Sequence, residues 1–165
     1  AGNGYFTWLL ETWGDAIALD FAKTMLLQHP SDKRVQGDVT RLPLCDTSVD
    51  IVFCGNLLHH LENQELAVEE MARVAAKYVV LVEPNRNNPL MFAFGVMKPE
   101  ERGTLQMTRS RLENLLSNAG LDVIASSTQG LILPNKTPMV LLPFLRLIDG
   151  ESPFGFYNVA IGRVR

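Results

Sequence analysis

Residues Gly37–Asn85 constrain the fold more than any other part of this chain: GDVTRLPLCDTSVDIVFCGNLLHHLENQELAVEEMARVAAKYVVLVEPN. Two apolar runs, Val49–Cys54 and Tyr78–Val82, are short and rich in β-branched residues. Each stops at polar residues, Gly55-Asn56 in one case and Glu83-Pro84-Asn85 in the other. A helical pattern over Glu62–Ala76 lies between them, with Leu66, Met71, Val74 and Ala75 near one face. Strand, helix, strand with polar residues at both strand carboxyl ends is how open α/β sheets build ligand sites.

The flanking sequence continues the alternation. Tyr5–Trp13 reads as a short helix stopped by Gly14, apolar on most sides and therefore expected to be sandwiched. Ala16–Leu19 reads as a buried strand ending at Asp20. Phe21–His29 then reads as a helix with Met25 and Leu26 inward, ended by Pro30, and Arg34–Gln36 as a weak strand near a sheet edge. Asn88–Val96 suits a helix capped by Asn87 or Asn88, with Pro89 at its first position. Thr108 caps a further helix that carries Leu112, Leu115, Leu116 and Ala119 and closes at Gly120. Leu121–Ala125 and Phe156–Val164 read as strands pairing antiparallel, with Leu131–Ile148 looping between them. This order predicts a parallel sheet with helices on both faces and an antiparallel strand at one end.

Composition narrows the partners. At 165 residues the chain suits a single domain burying roughly 70% of its unfolded surface. A net charge of −3 argues against a nucleic-acid backbone as main partner. Two cysteines give no disulfide framework, and reduced thiols in a cytoplasmic setting are expected. Histidine and cysteine spacing suggests no metal site, and the longest apolar stretch, Pro138–Ile148, is too short to span a bilayer. The chain opens at Ala1 inside a glycine-rich turn, so we expect a preceding strand.

Several polar residues sit where a ligand site would be. Gly2-Asn3-Gly4 before a helix lets backbone approach a ligand without Cβ interference, although such turns also serve packing. Asp20 could accept hydrogen bonds from a ribose diol or cap the helix that follows. Asp38 could meet an adenine amino group or simply complete a Gly-Asp turn. His59 and His60 are the candidate proton-transfer groups, since imidazole exchanges protons near neutrality.

Taken together, Gly2-Asn3-Gly4, Asp20, GDVTRLPL, SVDIVFCGNLLHHL, Arg73-Val74 and VVLVEPN resemble class I S-adenosylmethionine-dependent methyltransferases, most of all the methyltransferase type 11 group. The resemblance is close from Ala1 to about Asn85 and looser over Gly103–Ile124. The family's first motif is an acidic residue and a three-glycine turn, of which only Gly2 and Gly4 stand here. One domain over residues 1–165, incomplete at its amino end, is therefore expected. Ala75-Ala76-Lys77 stands where the family usually has a Pro-Gly-Gly turn. The resemblance implies a Rossmann-like, doubly wound seven-stranded sheet, mostly parallel with its last strand antiparallel. It implies S-adenosylmethionine as cofactor, with the Gly2-Asn3-Gly4 turn at the methionine part and Asp20 at the ribose. Asp38 and Val39 would meet the adenine, Phe21 would pack on it, and Asn56 would line the methionine side. An LHHL segment is usual in the family whether or not a histidine is catalytic.

Acceptor identity is less legible. Gly55-Asn56-Leu57-Leu58 is not the Asn/Asp-Pro-Pro-aromatic segment of nucleic-acid amino methylation, so a small molecule is expected. The apolar segments Asn88–Val96 and Leu131–Ile148 would suit a lipophilic acceptor, a homodimer face or ordinary core packing. The competing readings are a nicotinamide-dependent oxidoreductase and a non-catalytic, methyltransferase-like subunit that binds cofactor and activates a partner.

Overall fold

Alternating strand and helix signals fold into two compact units, Ala1–Cys45 and Asp46–Arg165. The computed structural model describes residues 1–2, 4–130, 140 and 150–165. Asn3 and nearly all of Leu131–Ile148 therefore lie outside the described residues.

The first unit contains α1 (Tyr5–Leu10), β1 (Ala18–Asp20), α2 (Lys23–Gln28) and β2 (Arg34–Gln36). The two strands pair in parallel, Asp20 opposite Gln36. Gly4 needs its missing side chain twice over: its φ is 83°, and a Cβ would stand 2.6 Å from Pro30 Cδ. Buried His29, at the end of α2, ties that helix to α1. Its Nδ1 accepts from the Ser31 backbone at 3.1 Å, which leaves Nε2–H to donate to Thr7 Oγ1 at 3.1 Å. Two expectations are corrected here. α1 ends at Leu10 and is not sandwiched: it buries only Thr7 and leaves Trp8 65% exposed. In α2 only Leu26 is buried, and Met25 faces outward. An apolar surface states what a helix can bury; in so short a helix the contacts made by one turn decide what it does bury.

The second unit holds β3 (Val49–Gly55), α3 (Gln64–Val74), β4 (Ala75–Pro84), α4 (Pro89–Met97), α5 (Arg109–Asn118), β5 (Asp122–Gln129) and β6 (Tyr157–Arg163). Short 3₁₀ turns occupy Leu58–His60 and Pro99–Gln106. Strand order is β3-β4-β6-β5, with β3 and β4 parallel and β6 antiparallel to both neighbours. The fold is thus α/β with a mixed sheet in this unit. Asn88 caps α4 by accepting from Leu90 and Met91, and Thr108 caps α5 by accepting from Arg111, as local sequence predicts.

α3 and α5 carry the core onto the sheet. Ala67, Val68, Met71 and Val74 join Leu112, Leu115, Leu116, Val79, Leu81 and Ala160. Each large side chain buried contributes about 1.5–3 kcal/mol. Gly162 sits where a Cβ would press on Leu116 and Leu121 at 3.0–3.1 Å, so it lets α5 approach β6 closely. The expected inner stripe of α3 is displaced: Leu66 is exposed, and Gln64 takes the inner position. Gln64 tolerates burial because Arg111 Nε and Nη2 donate to its Oε1 at 3.2 and 3.0 Å. α3 passes into β4 without the usual surface turn, and β4 begins at Ala75, which was expected to be helical.

Candidate functional site

In the first unit the expected site residues cluster at the end of β1. Asp20 Oδ2 accepts from the Gly2 backbone at 3.0 Å and from the Ala1 amine at 2.8 Å; Oδ1 accepts from Ala22 at 2.9 Å. Burial pushes the Asp20 carboxyl up, but these donors outweigh it and hold the pKa below the usual aspartate value. One carboxylate thus joins the glycine turn to the strand end and also caps the chain into α2. Among the described residues, a Cβ at Gly2, where φ is 56°, would meet nothing within 4 Å.

Asp38 forms an Asx turn. Its Oδ1 accepts from the Thr40 backbone at 2.8 Å and from Thr40 Oγ1 at 2.7 Å, which lowers its pKa. Asp38 is exposed, Val39 half-buried, and Phe21 stands 74% exposed. The turn alternative read from Gly37-Asp38 is therefore realised. Asn3 lies outside the described residues.

In the second unit β3 ends at Gly55, and Asn56 adopts a left-handed φ of 53°. Asparagine tolerates that region better than most residues. Its N–H donates to Val82 O at 2.8 Å, so strand pairing with β4 persists to this bend. Beyond it the chain meets Glu83, which no sequence argument singled out beyond ending a strand. Glu83 is fully buried at the end of β4. Its Oε1 accepts from the Leu57 and Leu58 backbones, each at 2.8 Å, and its Oε2 faces His59 Nδ1 at 2.6 Å. A charged residue closing the apolar run YVVLV was the available signal.

His59 is buried and His60 exposed, their ring centroids 3.9 Å apart. His59 Nε2 faces Glu101 Oε2 at 3.3 Å, and His60 Nδ1 faces the Glu100 carbonyl at 3.2 Å. The structure therefore separates the pair: one ring is held between two carboxylates, the other meets solvent. Asn85 closes this end of the sheet by donating Nδ2 to Pro153 and Gly155 carbonyls at 2.9 and 2.8 Å.

Known proteins share the sequence pattern of the amino-terminal half and the fold. The profile of the methyltransferase domain family matches residues 1–82. Residues 1–82 thus carry the pattern of a methyltransferase domain. Over 135 residues it is 30% identical to a biotin biosynthesis bifunctional protein of Cellvibrio japonicus, covering 76% of this chain and 27% of that protein. A probable S-adenosylmethionine-dependent methyltransferase of Mycobacterium tuberculosis is 30% identical over 132 residues, 75% of this chain and 47% of the relative. The chain thus spans less than half the length of these curated relatives. A Thermotoga maritima methyltransferase described as a possible histamine N-methyltransferase shares the fold, with TM-score 0.77 and 18% identity over 99% of this chain and 78% of that one. S-adenosylmethionine is the cofactor of this methyltransferase family. The residues fit it in chemical type: a side-chain-free turn at Gly2 and, beside it, a carboxylate suited to a diol.

Proposed function

We propose that this protein transfers a methyl group from S-adenosylmethionine to a small, lipophilic acceptor. The observation that carries the reading is Asp20 hydrogen-bonded to the Gly2 turn, where no other described residue would meet a Cβ. Asp20 would hold the ribose; Gly2, Asn3 and Gly4 would face the methionine part, and Asp38, Val39 and Phe21 the adenine. Asn56 is assigned to the methionine side on family resemblance alone.

When bound, the cofactor supplies a methyl carbon already activated toward displacement. The protein's contribution is then mainly orientation, which can be worth roughly 7–11 kcal/mol. His59, buried between Glu83 and Glu101, suits a positioning role better than abstraction of an acceptor proton. His60 is the exposed member of the pair and the better candidate base. A lipophilic acceptor is supported by α4, where Leu90, Phe92, Phe94, Val96 and Met97 are all exposed.

The reading also takes residues 1–165 as one domain of a seven-stranded sheet, and the two cysteines without disulfide bonds as suited to the cytoplasm. No helix among the described residues is long and apolar enough to cross a membrane. Calorimetry tests the cofactor assignment. S-adenosylhomocysteine should bind saturably, and Asp20→Ala should weaken it by about 1–3 kcal/mol. Unchanged affinity in the folded variant refutes the ribose role, and saturable binding of NAD(H) alone refutes the methyltransferase reading.

A further inference from the structure

We propose that His59, His60 and Glu101 form a zinc site, with Glu83 as its orienting partner. One donor atom from each of the three lies within 4.8 Å of the others. The decisive point is where the imidazole protons must be. His59 Nδ1 faces a carboxylate oxygen at 2.6 Å, and His60 Nδ1 faces a backbone carbonyl at 3.2 Å. Both partners only accept, so each Nδ1 carries the hydrogen and each neutral ring keeps its lone pair on Nε2. His59 Nε2 then confronts Glu101 Oε2 at 3.3 Å, lone pair against lone pair, unless a cation lies between them.

That cation is either a proton or a metal ion, and three features favour the metal. First, metal-bound histidines usually donate their second ring N–H to a carboxylate or a carbonyl, and both histidines do so here. Second, tetrahedral bonds of about 2.0–2.1 Å put neighbouring ligand atoms roughly 3.3–3.4 Å apart, which the His59–Glu101 separation matches. Third, two carboxylates, buried Glu83 and half-buried Glu101, offset both charges of the ion. Two imidazoles and one carboxylate suit zinc, and the fourth position stays open to water or another ligand. The ion would tie the Leu58–His60 turn to the Pro99–Gln106 segment. A bound ion would take the Nε2 lone pair of His60 and so exclude the base role given to that residue above; the cofactor assignment is tested separately, because the readout here is metal binding alone.

The test is zinc stoichiometry on the whole chain, stripped with chelator, reloaded with Zn²⁺ alone and desalted. One equivalent per chain is expected by elemental analysis. In competition with a chromophoric chelator, His60→Ala and Glu101→Gln should each bind at least about 10-fold more weakly. Glu83→Gln should lose about 10–100-fold, because its amide forces the hydrogen of His59 onto Nε2. Repeating the measurement in Cys45→Ser should change nothing, since the exposed thiol is no ligand. If a variant fails to fold by circular dichroism, Co²⁺ loading of the unmodified chain decides instead. Tetrahedral visible absorption without a thiolate charge-transfer band supports the site. Zinc far below one equivalent, equal binding in the folded variants, or a thiolate band overturns it, leaving His59 as an imidazolium between two carboxylates.

Discussion

Glu83→Ala should cost about 2–6 kcal/mol of stability in the second unit, and Glu83→Gln about 1 kcal/mol or less. The alanine removes short-range acceptors from the Leu57 and Leu58 backbones and from His59 Nδ1, and a more distant one, at 3.4 Å, from the His59 backbone. Leu57 is exposed enough for water to replace its bond, but Leu58 and His59 are buried and would keep unsatisfied donors. Each such donor costs about 1–3 kcal/mol, and two together give the stated range. Glutamine keeps the shape. Its oxygen still accepts from Leu57 and Leu58, its amide donates to His59 Nδ1, and the ring's hydrogen moves to Nε2, facing Glu101. Only the His59 backbone N–H, whose bond to Oε2 is already long at 3.4 Å, then lacks its acceptor, while one buried charge is gone. Urea unfolding in zinc-free buffer measures the difference. Far-UV circular dichroism is the probe, because both tryptophans, Trp8 and Trp13, lie in the first unit. An alanine variant within about 1 kcal/mol of the parent, or a glutamine variant as unstable as the alanine, refutes the argument.

Three further outcomes follow from the packing and charge. A Cβ on Gly103 would fall inside the His59 carbonyl, so Gly103→Ala should destabilise by about 1–3 kcal/mol or more, whereas Gly14→Ala, with open space, should not; thermal unfolding compares them. Only one thiol should react quickly with a disulfide reagent in the native protein, and Cys45→Ser should abolish that phase. Cys45 is exposed, whereas burial first and then the Glu83 charge push the Cys54 thiol well up. The Asp20 pKa is depressed, so its contribution is complete above the unfolded value of about 3.9 and lost as pH falls through the folded value. Acid unfolding should therefore be steeper below about pH 4 in the parent than in Asp20→Asn; equal slopes would show that the bonds from Ala1, Gly2 and Ala22 contribute nothing.

Much of the secondary structure was legible because its causes are local. β-branched runs ended at polar residues in β3, and Asn88 and Thr108 cap helices through donors two and three residues away. The same locality made Asp38 readable as a turn. Side-chain burial was less legible. Leu66, Met25 and Trp8 have the hydrophobicity of core residues but face outward, while polar Gln64 is buried against Arg111.

By itself, then, the sequence determined that the chain alternates strand and helix, that Asp20 and Asp38 follow strands, and which family it resembles. Tertiary structure alone decided what Glu83 does, because its partners at Leu57 and Leu58 lie 26 and 25 residues earlier. It alone brought Glu101 to His59 and divided an identical, adjacent pair of histidines into one buried ring and one exposed. The physical reason is range. Propensity, capping and periodicity act over a few residues, whereas the protonation and chemistry of a buried polar group depend on whichever acceptors the fold brings within 3 Å or so.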